Sequence, residues 1–318
     1  MNGLVLKSTG SWYRLMLDDG NTVDARLRGA LRLAGSKSTN PVAVGDKVMA
    51  KPEVDGRWVI HEILSRRNHL IRRSVNLSKR TQVIAANMDQ AVLICTIAEP
   101  KTLYGFMDRF LATTEAYDIP AVIVFNKIDL CGEAAMEELQ YREAAYGAAG
   151  YPCLRVSAVT GEGLDAMVDL LRGKVSLLSG HSGVGKSTLA NAIQPGLDLR
   201  TTEISAAHGQ GLHTTTFAQM HPLDVGGYVI DTPGIRGFGL VNMESAEISH
   251  YFPEIFAMKD DCKFGNCLHS EEPSCAVRSA AEEGKLAPTR YRSYLSMLSG
   301  DELDEVYRQD HHGSDLGA

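Results

Sequence analysis

The sequence predicts a multi-domain protein: an N-terminal β-barrel, a central α/β domain, and a C-terminal, mainly helical domain around a cluster of metal-type ligands. Three observations carry this. The first 65 or so residues read as short strands punctuated by turns. From about residue 85, continuous apolar runs alternate with amphipathic segments. Past residue 243, helical patches surround Cys262, Cys267, His269 and Cys275. With 318 residues, 44% hydrophobic and 22% charged, the chain can bury several cores. The expected boundaries are 1–70, 71–240 and 241–318.

In the first domain, Trp12 to Leu17, Asp19-Gly20 and Thr22 to Leu27 read as a hairpin with a turn-forming Asp-Gly. Val44-Gly45-Asp46-Lys47-Val48 and Trp58-Val59-Ile60 continue the β character. About five short strands in such a segment predict a small barrel of the OB-fold type. Residues 36–40, Ser-Lys-Ser-Thr-Asn, read as a loop.

In the central domain, Ala91 to Ile97 and Ala121 to Phe125 are apolar on both faces, as in strands of a parallel sheet. Leu103 to Tyr117 has helical spacing, and Glu133 to Tyr146 is rich in Ala and Glu. Leu154 to Val156, Leu164 to Leu171, Val175 to Leu178 and Tyr228 to Ile230 extend the alternation.

The formal charge of −7 argues, taken alone, against a nucleic-acid partner, but it hides an asymmetry. Residues 1–80 carry 15 basic and 7 acidic side chains, whereas 81–230 carry 9 and 16 and 231–318 carry 8 and 16. The first domain is thus a candidate phosphate-binding face, with Arg66, Arg67, Arg72, Arg73, Lys79 and Arg80 in one stretch. A solvated linker is the alternative for that run. No apolar run approaches the ~20 residues that span a bilayer. The start, Met1-Asn2-Gly3-Leu4-Val5-Leu6-Lys7, lacks the pattern of a signal peptide, and six cysteines suit a reducing compartment. A cytoplasmic protein with no membrane partner is expected.

Gly180-His181-Ser182-Gly183-Val184-Gly185-Lys186-Ser187-Thr188 fits G-x-x-x-x-G-K-[ST] between a strand and a helix. Its glycines let backbone N–H groups curl round phosphate oxygens, and the helix N-terminus adds its dipole. Lys186 is placed for the β- and γ-phosphates and Ser187 for Mg²⁺.

Asn126-Lys127-Ile128-Asp129 follows an apolar strand directly. A carboxylate at Asp129 can accept from guanine N1–H and its exocyclic amine together, a pair that adenine does not offer. Lys127 would lie along the ring plane, and Asn126 would brace neighbouring loops. Ser157-Ala158 matches a loop whose backbone N–H meets guanine O6. Asp231-Thr232-Pro233-Gly234 ends a further strand, where Asp231 would hold Mg²⁺ through water and the Gly234 N–H would meet the γ-phosphate. In Gly211-Leu212-His213-Thr214-Thr215-Thr216, either Thr214 or Thr215 would complete the Mg²⁺ shell.

These are the elements of a Ras-like GTPase in a circularly permuted order, with the guanine elements at 126 and 157 ahead of the phosphate loop at 180. Relocated termini leave a compact sheet intact. The segment at Gly234 then leads within 28 residues into the cysteine cluster, so a nucleotide-dependent loop movement could reposition a domain. Cys262-x₄-Cys267-x-His269-x₅-Cys275 offers three thiols and one imidazole, a donor set for one structural tetrahedral zinc ion with no open position. Cys95, Cys131 and Cys153 read as small apolar residues.

The basic β-domain, the permuted GTPase and the Cys-x₄-Cys-x-His-x₅-Cys domain together resemble the ribosome small-subunit-dependent GTPase A family (RsgA, also called YjeQ) across nearly the whole chain. The resemblance implies an OB-fold N-terminus, GTP and GDP as ligands, and binding to the 30S subunit through 16S rRNA. It also implies a role late in subunit maturation, with ribosome-stimulated hydrolysis. A monomer is expected. The residue after Asp-x-x-Gly is Ile235, not the Gln that orients water in Ras-like enzymes, so intrinsic hydrolysis is expected to be weak. His213 is the candidate to position or polarise that water, a structural or RNA-contacting role being the alternative. The competing overall reading is an RNA-binding protein with a nucleotide-occupancy switch and negligible turnover.

Overall fold

The computed structural model describes residues 1–29, 41–54, 56–73, 81–197, 218–231 and 244–300. Strands β1 (Asn2–Ser8), β2 (Tyr13–Leu17), β3 (Thr22–Leu27), β4 (Lys47–Pro52) and β5 (Trp58–Ile63) run in the order β1-β2-β3-β5-β4, and β4 closes back on β1. The β3–β5 pair is parallel and the other pairs are antiparallel, which completes a five-stranded OB-type barrel. Alternation decides what fills it: Tyr13, Leu15 and Leu17 of β2 point inward onto Val5, Ala25, Val48 and Ile60. The expected hairpin is present, its turn held by the Asp19 carboxylate, which accepts from Asn21 N–H and Nδ2 at 2.9 Å each.

A two-stranded antiparallel hairpin, β6 (His69–Arg73) and β7 (Thr81–Ala86), leads out of the barrel, so the expected boundary at residue 70 falls inside β6. Gly45 meets β7 so closely that a Cβ there would lie 2.1 Å from the Ala86 carbonyl oxygen, and its φ of +86° also favours glycine. Beside it, Asp46 is fully buried. It takes two 2.7 Å hydrogen bonds from Arg66 and one of 2.8 Å from the Ala43 N–H. This takes Arg66 out of the candidate basic face, because it belongs to an internal ion pair; Arg67 bonds Met88 O and Asp89 with its side chain still exposed. Lys79 and Arg80 lie outside the described residues.

The central sheet contains β8 (Gln90–Cys95), β9 (Ala121–Phe125), β10 (Cys153–Arg155), β11 (Val175–Ser179), β12 (Gln219–Pro222) and β13 (Tyr228–Asp231), in the order β10-β9-β8-β11-β13-β12. All neighbours are parallel except β12 with β13. The first three strands in the chain form one half and the last three the other, which is the permutation expressed in space. On β8 and β9, Leu93, Cys95, Ile123 and Phe125 pack with helices α1 (Tyr104–Ala116) and α2 (Glu133–Ala148). Their alternates Val92, Ile94, Val122 and Val124 pack with α3 (Leu164–Leu171) and α4 (Lys186–Ile193). Both faces are thus covered, as the apolar runs require. A single pairing, Lys7 with Gln219, continues the sheet into the barrel.

The C-terminal unit begins with 3-10 turns at Ser245–Tyr251 and contains α5 (Pro253–Met258), α6 (Ala276–Glu282) and α7 (Pro288–Ser299). Ile248, Phe252, Ile255, Val277, Tyr294 and Met297 form its core and reach Ala112 of α1. There Arg290, 1% exposed, donates to Asp108 at 2.8 Å and to Glu254 at 2.7 and 3.0 Å. Its guanidinium also lies 4.6 Å from the Phe252 ring centroid. This ion network fastens α7 to α1.

Candidate functional site

In a parallel sheet the loops leaving the carboxyl ends of the strands share one rim, the place where such folds bind ligands. Here the loops after β8, β9, β10 and β11 meet there, and β13 ends beside them at Asp231. Residues 180–185 curl back from β11 and end at Gly185, whose φ of +88° starts α4 at Lys186. A Cβ on Gly185 would lie 2.5 Å from Asn126 Nδ2, so this close approach requires glycine. Lys186 Nζ spans the loop, donating to Gly180 O at 2.6 Å and His181 O at 3.0 Å. Burial lowers its pKa, and the Asp231 carboxylate opposes that shift. Ser187 and Thr188 follow in the first turn of the helix, and the Val184 side chain is buried beneath the loop.

The base-side residues are braced against this loop. Asn126 Nδ2 donates to Val184 O at 2.9 Å, and its Oδ1 accepts from the Ala158 N–H at 3.4 Å. Lys127 adopts left-handed backbone (φ +62°) and extends Nζ to Glu99 O at 2.7 Å. The Asp129 carboxylate accepts from Ser157 Oγ at 2.5 Å, while that hydroxyl caps Thr160 N at 3.1 Å. Ile128 buries its side chain in the core, which leaves only its backbone to the rim. One cradle therefore gathers Asn126, Lys127, Asp129, Ser157, Ala158, residues 180–188 and Asp231. His213, Thr214, Thr215 and Gly234 lie outside the described residues.

Sequence reasoning did not single out the loop after β8. Its Glu99 carbonyl holds Lys127, Pro100 would touch a Cβ on Gly183 at 3.2 Å, and Thr102 bonds His181. No motif marks these residues, because two of the contacts are backbone or van der Waals contacts that tolerate many side chains.

In the C-terminal unit the four predicted ligands converge, their donor atoms all within 4.8 Å of one another. Cys262 Sγ lies 3.5 Å from His269 Nδ1 and 3.9 Å from Cys275 Sγ, and Cys275 Sγ lies 3.6 Å from His269 Nδ1. A tetrahedral centre with bonds of about 2.3 Å to sulfur and about 2.0 Å to nitrogen sets its ligands roughly 3.5–3.8 Å apart, so the cluster fits a metal ion of that size. Burial lowers the His269 pKa, and the neutral form is the one that ligates. Backbone N–H groups of His269 and Arg278 donate to Cys267 and Cys275 sulfurs at 3.4 Å, the support expected behind thiolate ligands. Tyr291 and Tyr294 hydroxyls pin the loop through His269 O and Leu268 O at 2.7 and 2.6 Å.

On the barrel, Lys7, Thr9, Trp12, Arg14 and Asp24 line a surface concavity of about 290 Å³. Trp12 is 39% exposed, with the Arg26 guanidinium 4.1 Å from its ring centroid. Among the described residues, no helix is long and apolar enough to cross a membrane.

Comparison with known proteins places this arrangement. The sequence profile of the RsgA GTPase matches residues 63–241, and that of the RsgA N-terminal domain matches residues 2–60. The chain is 53% identical over 308 residues to a small ribosomal subunit biogenesis GTPase RsgA of Bacteroides fragilis, covering 97% of this chain and 99% of the relative. It is 50% identical over 321 residues to the protein of the same name from Flavobacterium johnsoniae, covering 100% and 98%. Among solved structures it resembles YjeQ from Thermotoga maritima, with a TM-score of 0.77, 34% identity and coverage of 94% and 97%. It also resembles YloQ, described as a circularly permuted GTPase, with a TM-score of 0.73, 30% identity and 94% of each chain covered.

Proposed function

The chain belongs to the RsgA GTPase family and hydrolyses GTP, and from that premise we propose that it binds the small (30S) ribosomal subunit through 16S rRNA, assists its late maturation, and is stimulated by it. The name shared by its relatives, small ribosomal subunit biogenesis GTPase, is the observation that carries this reading. The barrel supports it: an exposed Trp12 with Arg26 against its ring, beside Lys7 and Arg14, offers the stacking and cationic chemistry that single-stranded RNA uses.

In this reading Asp129 selects guanine, Lys127 flanks the ring and Asn126 braces the loops, with the Ser157-Ala158 backbone at guanine O6. Residues 180–188 hold the phosphates. Ser187, Asp231 and one of Thr214 and Thr215 serve Mg²⁺, Gly234 reads the γ-phosphate, and His213 positions the attacking water. The Cys262, Cys267, His269 and Cys275 cluster holds one zinc ion, which supplies a structural crosslink. Residues 1–70, 71–240 and 241–318 act as RNA-binding, GTPase and zinc-binding domains of a cytoplasmic monomer.

Phosphate release from GTP, measured with and without purified 30S subunits, tests the proposal. Stimulation is the expected result, and His213→Ala should abolish it while leaving nucleotide affinity nearly unchanged. Turnover indifferent to 30S points to another partner. Negligible turnover under both conditions points to an occupancy switch.

A further inference from the structure

The phosphate loop carries a side chain, His181, whose chemistry is fixed from outside the loop. Its Nδ1 lies 3.0 Å from the Ser182 carbonyl oxygen, which can only accept, so Nδ1 carries the proton. In that neutral tautomer Nε2 is an acceptor, and it sits 2.7 Å from Thr102 Oγ1. Thr102 is fully buried; its hydroxyl oxygen accepts from the Thr96 N–H at 2.9 Å and borders the buried Cys95 thiol, and its single proton serves the acceptor Nε2 of His181. The Thr102 carbonyl takes a 2.7 Å hydrogen bond from Arg142, which is itself held by Glu138 and lies 4.2 Å from the Tyr104 ring centroid. Phe106, in the first turn of α1, packs edge-on to the imidazole with ring centroids 5.6 Å apart.

We propose that His181 is a positioning residue for GTP and GDP. Clasped by Thr102 and Phe106, it fixes the crest of the phosphate loop so that its backbone N–H groups stay convergent before nucleotide arrives. Such preorganisation acts on affinity, because the loop is not ordered at the expense of binding. The clasp also makes the start of α1 part of the phosphate site, and α1 is the helix that Arg290 holds to the C-terminal unit. The inference rests on residues 180–188 being the phosphate-binding loop.

Equilibrium titration of the full-length protein with a fluorescent GDP, together with steady-state GTP hydrolysis, tests it. His181→Ala and Thr102→Val are each expected to weaken GDP binding about tenfold, the worth of one buried hydrogen bond. The double variant should lose clearly less than the product of the two single losses, because both break the same Thr102–His181 contact. His181→Gln, which can still accept from Thr102, should recover most of the loss, and the fall in kcat/KM should appear in KM. Multiplicative losses in the double variant, unchanged binding in His181→Ala, or a Gln variant no better than Ala would each overturn the clasp. Should Thr102→Val not fold, the His181 pair decides alone. Lys186→Ala is the control: if it too leaves GDP affinity intact, the loop assignment itself falls.

Discussion

Arg290→Ala is the sharpest test of how the C-terminal unit is held. The wild-type guanidinium is 1% exposed and serves two carboxylates: Asp108, fully buried on α1, and Glu254, whose side chain is 12% exposed. Truncation leaves Asp108 with the Tyr146 hydroxyl at 2.8 Å and no cation, in a place water does not reach. Removing one partner of a buried pair costs about 3–5 kcal/mol, because the other charge stays buried uncompensated. With a urea slope of about 2 kcal/mol per molar, the unfolding midpoint should fall by about 1.5–2.5 M. Burial pushes the Asp108 carboxyl up, and Arg290 opposes that shift. In the variant the opposition is gone, so the folded-state pKa rises further above the unfolded value. A raised folded pKa favours folding below the unfolded pKa, and that benefit is lost as pH rises through the folded one. The deficit should therefore be largest at neutral pH and shrink under acid conditions, and Asp108→Asn in the Arg290→Ala background should recover part of it at neutral pH. Hydrogen exchange should quicken first in Ala276–Glu282 and Pro288–Ser299. A neutral-pH loss below about 1 kcal/mol, within the range of an exposed pair, would refute the reasoning.

Three further outcomes follow from the same geometry. Asp129→Asn should erase most discrimination between GTP and ATP in competition binding, a loss of about 1–3 kcal/mol in selectivity, because in the proposed reading its carboxylate accepts both guanine N–H groups. Cys275→Ser, or treatment with a strong chelator, should release one equivalent of zinc by elemental analysis. Residues 244–300 should then unfold by circular dichroism, while GDP binding at the rim of the central sheet survives. Gly45→Ala should destabilise the protein by about 2 kcal/mol or more in thermal unfolding, because its Cβ meets a backbone oxygen at 2.1 Å in left-handed backbone.

Much of this molecule was legible from its residues. Ala121–Phe125 and Leu164–Leu171 match the expected bounds at both ends, the first because a strand covered on both faces must be apolar throughout, the second because its flanking glycines stop the helix. The nucleotide-type residues gather at one rim because each lies at, or within a few residues of, the carboxyl end of a strand of the same parallel sheet. What escaped the sequence was partnership across distance. Arg66 looked like part of a basic face because its partner, Asp46, lies 20 residues away, at the adjoining end of the neighbouring strand β4. Gln219–Pro222 was not read as a strand, being four residues long, polar and ended by proline. Arg290 sits in a polar helical start that gives no hint of Asp108, 182 residues earlier. The loop after β8 acts on the site largely through backbone, which leaves no mark in side-chain patterns.

The rearranged order of the strands has a consequence for how the chain is born. Of the central sheet, a nascent polypeptide delivers β8, β9 and β10 first, and these pair among themselves into a three-stranded half-sheet. The open flank of that half-sheet is β8, whose partner strand places Ser176 beside Gln90, 86 positions later. For the whole interval a long hydrophobic edge stands without its neighbour, the exposure that invites pairing with other chains. On the proposed assignment, the half-sheet carrying Asn126 to Asp129 and Ser157 is laid down before the half carrying residues 180–188 and Asp231. That rim is complete only once β13 has emerged, so in the proposed reading nucleotide capture comes late in synthesis.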